Sequence, residues 1–129
     1  MTVGQPTIEI MNLMIVDDHA GVRRMIRDLL AAPGDLLQEC ASADEAVSLA
    51  GRFRPDCVTM DVHMPGQSAF AATRAIRAAH PDAHIVIVSS YDEPGLRLVA
   101  LAAGAAAYVN KDNLAELPRI FSRNRGAQL

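Results

Sequence analysis

"CVTMDVHMPG", residues 57–66, decides how the chain is read. Its first half is almost continuously apolar and ends on a carboxylate, Asp61; Met64, Pro65 and Gly66 then turn the chain. A strand without polar alternation belongs inside a parallel sheet, where helices cover both faces. A carboxylate at the tip of such a strand is costly to bury unless something compensates its charge. The segment therefore predicts both a layered fold and a site at one edge of it.

The same pattern repeats outward from this segment. "IMNLMIVD" at 10–17, "LLQECA" at 36–41, "HIVIVSS" at 84–90 and "AAAYVNK" at 105–111 read as four more strands. Between them lie helical periodicities. "VRRMIRDLLAA" repeats Val22, Met25, Ile26, Leu29 and Leu30 on one face, and "PGD" at 33–35 stops it. Ser42 followed by Glu45 forms a capping-box pattern, with Ala46, Val47, Ala50 and Phe53 facing inward. "SAFAATRAIRAA" puts Phe70, Thr73 and Ile76 on one side. "EPGLRLVALAA" tolerates Pro94 only in its first turn, and Gly104 closes it at C′. Strands alternating with helices at this spacing predict right-handed crossovers and a doubly wound five-stranded parallel sheet with helices on both faces.

Composition agrees. The chain has 129 residues, the size of one domain, and 50% apolar residues, too many for a disordered chain. Residues 1–9 read as a flexible extension and 10–129 as the domain. A formal net charge of −3 argues against direct nucleic-acid binding. No apolar stretch is long enough for a membrane span, and the N-terminus lacks signal-peptide features; a cytoplasmic location is expected. Cys40 and Cys57 have no metal-ligand spacing and read as small buried residues. Met11, Met14, Met25, Met60 and Met64 read as core or loop filler, and Arg23, Arg24 and Arg27 as a solvated helix face.

A parallel sheet places all strand carboxyl ends on one edge, where doubly wound folds bind ligands. That edge would gather Asp17 and Asp18, Asp61, Ser89 and Ser90, and Lys111. Singly, each has a bland reading: a helix cap, a turn former, a core hydroxyl, a surface lysine. Together they make a shallow site of three carboxylates, a hydroxyl and an ammonium. Crowded carboxylates call for a hard divalent cation, and Mg2+ suits oxygen ligands. Such a site stabilises a phosphoryl group, with Asp61 as the nucleophile. His19 and His63 read as loop polar groups, and Tyr108 as half-buried packing.

With these residues in place, the sequence resembles the receiver domain of two-component response regulators. "VDDH" at 16–19 resembles the acidic pair, and "MDVHMPG" at 60–66 the phosphoacceptor segment. "VSS" at 88–90 resembles the strand-four hydroxyl motif, and "GAAAYVNKD" at 104–112 the strand-five motif. "DDHAGVRRMI" is most similar to receivers that precede a helix-turn-helix output domain. The resemblance implies a flavodoxin-like strand order 2-1-3-4-5. It implies a phosphorylation-controlled switch in which Asp61 accepts a phosphoryl group from a histidine kinase or phosphotransfer protein. Asp17, Asp18, Asp61 and the carbonyl of His63 would hold Mg2+; Ser89 and Lys111 would contact phosphoryl oxygens. Tyr108 would rotate inward as Ser89 moves, and the domain would catalyse its own dephosphorylation.

Four departures stand out. Ser90 replaces the usual small residue beside the phosphate, so Ser90 and His63 are candidates for controlling access. Ala69 replaces a glycine, and Asp112 a proline, after Lys111. Pro118 falls inside the last helix, which is therefore expected to be kinked or late and short. No helix-turn-helix pattern is present, so output is expected to pass to a downstream protein target or to a missing C-terminal output domain, and a homodimer is a further candidate assembly. The competing readings are a phosphorylation-independent binding module and an aspartyl-phosphate phosphatase using His63 as its acid.

Overall fold

The computed structural model describes residues 10–122. The expected extension at 1–9 lies outside the described residues, as do positions 123–129 of the last predicted segment. The elements run β1 (Asn12–Val16), α1 (Ala20–Leu30), β2 (Leu36–Cys40), α2 (Ala43–Phe53), β3 (Cys57–Asp61), α3 (Ala69–Ala79), β4 (His84–Ser89), α4 (Pro94–Ala102), β5 (Ala107–Asn110), a 3-10 turn (Lys111–Glu116) and α5 (Leu117–Ile120). All strand pairs are parallel and the order is β2-β1-β3-β4-β5, as expected.

Side chains alternate across the sheet and build two cores. Met14, Val16, Val58, Met60, Ile85 and Ile87 meet the small residues of α2, α3 and α4, including Ala46, Ala50, Ala72 and Ala100. Leu13, Ile15, Val86, Val88 and Val109 meet Ile26 and Leu30 of α1 and Leu117 of α5. The alanine-rich helices bring their backbones close to the sheet, which explains how 11-residue helices cover a fully buried strand such as β3. β2 is the less buried edge, with Leu36 exposed.

Helix ends follow the predicted chemistry with one variation. Ser42 accepts a hydrogen bond from the Glu45 N–H, but the Glu45 carboxylate reaches back to the N–H of Ala41 rather than Ser42. Ser68 caps α3, accepting from the N–H groups of Phe70 and Ala71. Pro94 opens α4, and Gly104 follows its C-cap at φ +105°, a conformation that disfavours any side chain. Pro118 sits in the first turn of α5, so the last helix starts late and is short: the chain reaches it through the 3-10 turn.

Packing corrects three expectations. Met25, placed in the apolar stripe of α1, is 54% exposed, because Ile26 and Leu30 supply the contact and Met25 lies beyond the edge of the stripe. Phe70 is only partly buried, while Ala69, Ala72, Thr73 and Ile76 form the inner face of α3. Tyr108 is buried rather than half-buried. Cys40 and Cys57 are free buried thiols as expected, and burial pushes the Cys40 thiol up to about 12, with Glu45 adding to the shift and Arg23 opposing it.

Candidate phosphoacceptor and cation site

The carboxyl edge brings the predicted residues together. Asp61 is the last residue of β3 and is 2% exposed; Asp17 follows β1 directly and is 1% exposed. Asp18 turns outward beside it and is more open to solvent. Lys111 follows β5 and crosses the edge, placing Nζ 3.0 Å from Asp17 Oδ2 and 3.3 Å from Asp61 Oδ1. The central strands carry the carboxylates because their register is fixed by two buried faces, so neither aspartate can slip.

The surrounding backbone fixes each group. The N–H of His19 donates to Asp17 Oδ1 at 2.8 Å, and the N–H of His63 donates to Asp61 Oδ1 at 3.4 Å. The remaining Asp61 oxygen, Oδ2, is buried and has no hydrogen-bond partner among the described residues. Burial raises the Asp61 pKa, and the Asp17 charge adds to this; Lys111 and the His63 N–H oppose them without cancelling them. Burial pulls Lys111 down, but its hydrogen bonds and charge contacts with Asp17 and Asp61 outweigh that and leave it raised, a firm cation.

Three carboxylates against one ammonium leave negative charge in excess. A carboxylate oxygen from each of Asp17, Asp18 and Asp61 and a ring nitrogen of His19 lie within 4.8 Å of one another. The oxygen-rich set and the orphaned Asp61 Oδ2 fit a hard divalent cation.

The hydroxyl side is organised through the loop after β4. Ser89 is fully buried, and its Oγ accepts a hydrogen bond from the Tyr91 N–H at 3.0 Å. The Tyr108 hydroxyl donates to the Tyr91 carbonyl, while the Arg97 guanidinium lies 5.4 Å from the Tyr108 ring centre. Tyr108 thus already occupies an inward position. The exposed ring of Tyr91 meets His63 edge-on, with centroids 4.5 Å apart, beside exposed Ser90.

Two features escaped the sequence reading. Arg23 is no solvated residue: its Nη1 donates to the Asp17 carbonyl at 2.6 Å and its Nε to Glu39 Oε1 at 2.9 Å. Arg27 reaches Glu39 Oε2 at 3.4 Å. Glu39 belongs to β2, so only the packing of α1 beside that strand reveals the pairing. Tyr91 was missed because its backbone, not its side chain, engages Ser89 and Tyr108.

Comparison with known proteins gives a consistent picture. The family model described as the response regulator receiver domain matches residues 13–121. The response regulator GacA of Pseudomonas viridiflava is 38% identical over 113 residues, covering 81% of this chain and 50% of that protein. A protein-glutamate methylesterase/protein-glutamine glutaminase of Geobacter metallireducens is 41% identical over 97 residues, 72% of this chain but 28% of that protein. This chain thus spans half or less of these two relatives. Among solved structures, a LuxR-family two-component response regulator from Aurantimonas sp. SI85-9A1 superposes with TM-score 0.77 at 38% identity, covering 86% of this chain and 81% of that one. A CheY-like receiver domain protein from Methanospirillum hungatei JF-1 shares the fold with TM-score 0.80 at 20% identity, covering 93% and 97% of the two chains. With the family match spanning both cores and every strand tip, this chain belongs to the response regulator receiver domain family.

Proposed function

We propose that this domain is a phosphorylation-controlled signalling switch that accepts a phosphoryl group on Asp61. The observation that carries the reading is the buried Asp61 carboxylate, with one oxygen held toward Lys111 and the other unpartnered. An Asp61 oxygen attacks the phosphorus of a phosphohistidine on a histidine kinase or phosphotransfer protein. The P–N bond breaks as the P–O bond forms, and the histidine leaves with the electron pair. Lys111 and Ser89 then face phosphoryl oxygens, with Ser89 exchanging its bond from the Tyr91 N–H for one it donates.

Asp17, Asp18, Asp61 and the His63 carbonyl would hold Mg2+. When bound, the ion supplies the positive charge that the carboxylates and the phosphoryl oxygens lack. Attack of water at phosphorus breaks the P–O bond to Asp61, releases inorganic phosphate and returns Asp61 to its carboxylate, and Ser90, His63 and Tyr91 border the approach. Movement of Ser89 would displace the Tyr91 segment, to which Tyr108 is already tied. The switch is then a two-state loop biased by charge-assisted contacts, read by a protein target or output domain. Relatives named as response regulators support this reading, and a cytoplasmic location accompanies it. The phosphorylation-independent binding module and the phosphatase draw no support from these comparisons.

Incubation with Mg2+ and acetyl phosphate, followed by intact mass, tests the proposal. The expected result is one added phosphoryl group, absent in Asp61→Asn and without Mg2+. Failure to phosphorylate, with rapid quenching to capture a short-lived adduct, would refute it.

A further inference from the structure

We propose that His19 is an additional ligand at the acidic site and shifts its preference from Mg2+ toward divalent first-row transition ions. This rests on the cation-binding part of the reading above, and extends it to a side chain given no role there. His19 Nδ1 lies 3.0 Å from Asp18 Oδ1 and 3.3 Å from Asp17 Oδ1. The imidazole is thus already turned onto both acidic residues, although its side chain is 69% exposed and has room to turn elsewhere.

The geometry suits coordination. An octahedral ion with ligands at about 2.1 Å sets neighbouring donors about 3.0 Å apart and opposite donors about 4.2 Å apart. The four candidate donor atoms, from Asp17, Asp18, His19 and Asp61, lie within 4.8 Å of one another, so a sub-ångström contraction closes the set. Independently, Asp61 Oδ2 is a buried carboxylate oxygen with no hydrogen-bond partner among the described residues, on a residue 2% exposed. With its proton on Nε2, the imidazole offers the Nδ1 lone pair to an ion.

A nitrogen donor changes selectivity. Carboxylate and carbonyl oxygens suit Mg2+, whereas imidazole favours ions later in the Irving–Williams order, such as Ni2+. His19 heads α1 without making a side-chain cap bond, so replacing it removes no helix cap. Its loss should therefore act on the ion and not on the fold.

The test is calorimetric titration of the full chain with Ni2+ and with Mg2+, for wild type, His19→Ala and His80→Ala. His80 ends α3 beside Arg54, Pro55 and Asp56, at the edge of the sheet opposite the strand carboxyl ends, and controls for adventitious Ni2+ binding. His19→Ala is expected to weaken Ni2+ about tenfold or more and Mg2+ less than about twofold. Mn2+-loaded wild type should show 14N modulation in pulsed electron paramagnetic resonance, lost in His19→Ala. Equal weakening of both ions, or bound Mn2+ without a 14N signal, would overturn the inference and leave the phosphoacceptor reading intact. A 14N signal in a protein that takes no phosphoryl group from acetyl phosphate would do the reverse. Absence of binding by every ion would overturn the inference together with the cation part of that reading.

Discussion

Asp61→Asn should make this domain more stable while abolishing its proposed chemistry. In the wild type, Lys111 Nζ stands 3.3 Å from Asp61 Oδ1. At an effective dielectric near 20 that contact is worth about 5 kcal/mol of attraction. Donor oxygens of Asp17 and Asp61 lie within 4.8 Å of each other, which gives at least about 3.5 kcal/mol of repulsion on the same scale. Burying the carboxylate costs several kcal/mol more. The balance disfavours the charged form, in agreement with the raised pKa of Asp61. Asparagine keeps the shape and removes the charge, so a gain of about 1–3 kcal/mol is expected at pH 7. That corresponds to a Tm increase of about 3–10 °C.

The sign with pH follows from the same shift. A carboxylate whose folded pKa is raised binds more protons in the native state than in the unfolded state, between its ordinary value of 3.8 and its folded value. Its penalty is therefore fully present above the folded value and disappears as pH falls through that window. The advantage of Asp61→Asn should shrink in step. Urea unfolding of both proteins across pH 4–8, with a chelator present, measures this. A variant no more stable than wild type at pH 7, or a gap that widens as pH falls, would refute the reasoning.

Lys111→Met should lower stability by about 2–4 kcal/mol in denaturant titration, because it leaves Asp17 and Asp61 buried without their cation. Saturating Mg2+, at 100 times its Kd, should raise wild-type stability by about 2.7 kcal/mol and should do much less for Asp61→Asn, as read by thermal melts. Ser42→Ala should cost about 1 kcal/mol, since the hydroxyl satisfies the Glu45 N–H at the start of α2. Cys40, buried and with its thiol pushed up to about 12, should resist thiol reagents at pH 8 in the native state and react on unfolding.

The sequence by itself determined the layers, the parallel sheet and the residues at each strand tip. It could do so because a strand buried on both faces must be apolar along its whole length, so Asp17 and Asp61 stand out as interruptions. Pro118 likewise announced a last helix either kinked or late and short, and the fold took the second course, with proline in the first turn where it is tolerated. Tertiary structure decided what periodicity leaves degenerate. Met25 was expected in the apolar stripe of α1 yet lies beyond its edge and faces solvent, because Val22, Ile26, Leu29 and Leu30 are the residues of α1 that meet the core. Arg23 left the solvent because β2 brought Glu39 beside it. Tyr108 became buried because the loop after β4 offered the Tyr91 carbonyl as an acceptor. His19 reads as an ordinary loop residue until folding turns its ring onto the carboxylates. Strand tips are set by local pattern; partners of long side chains are set by which elements the fold places side by side.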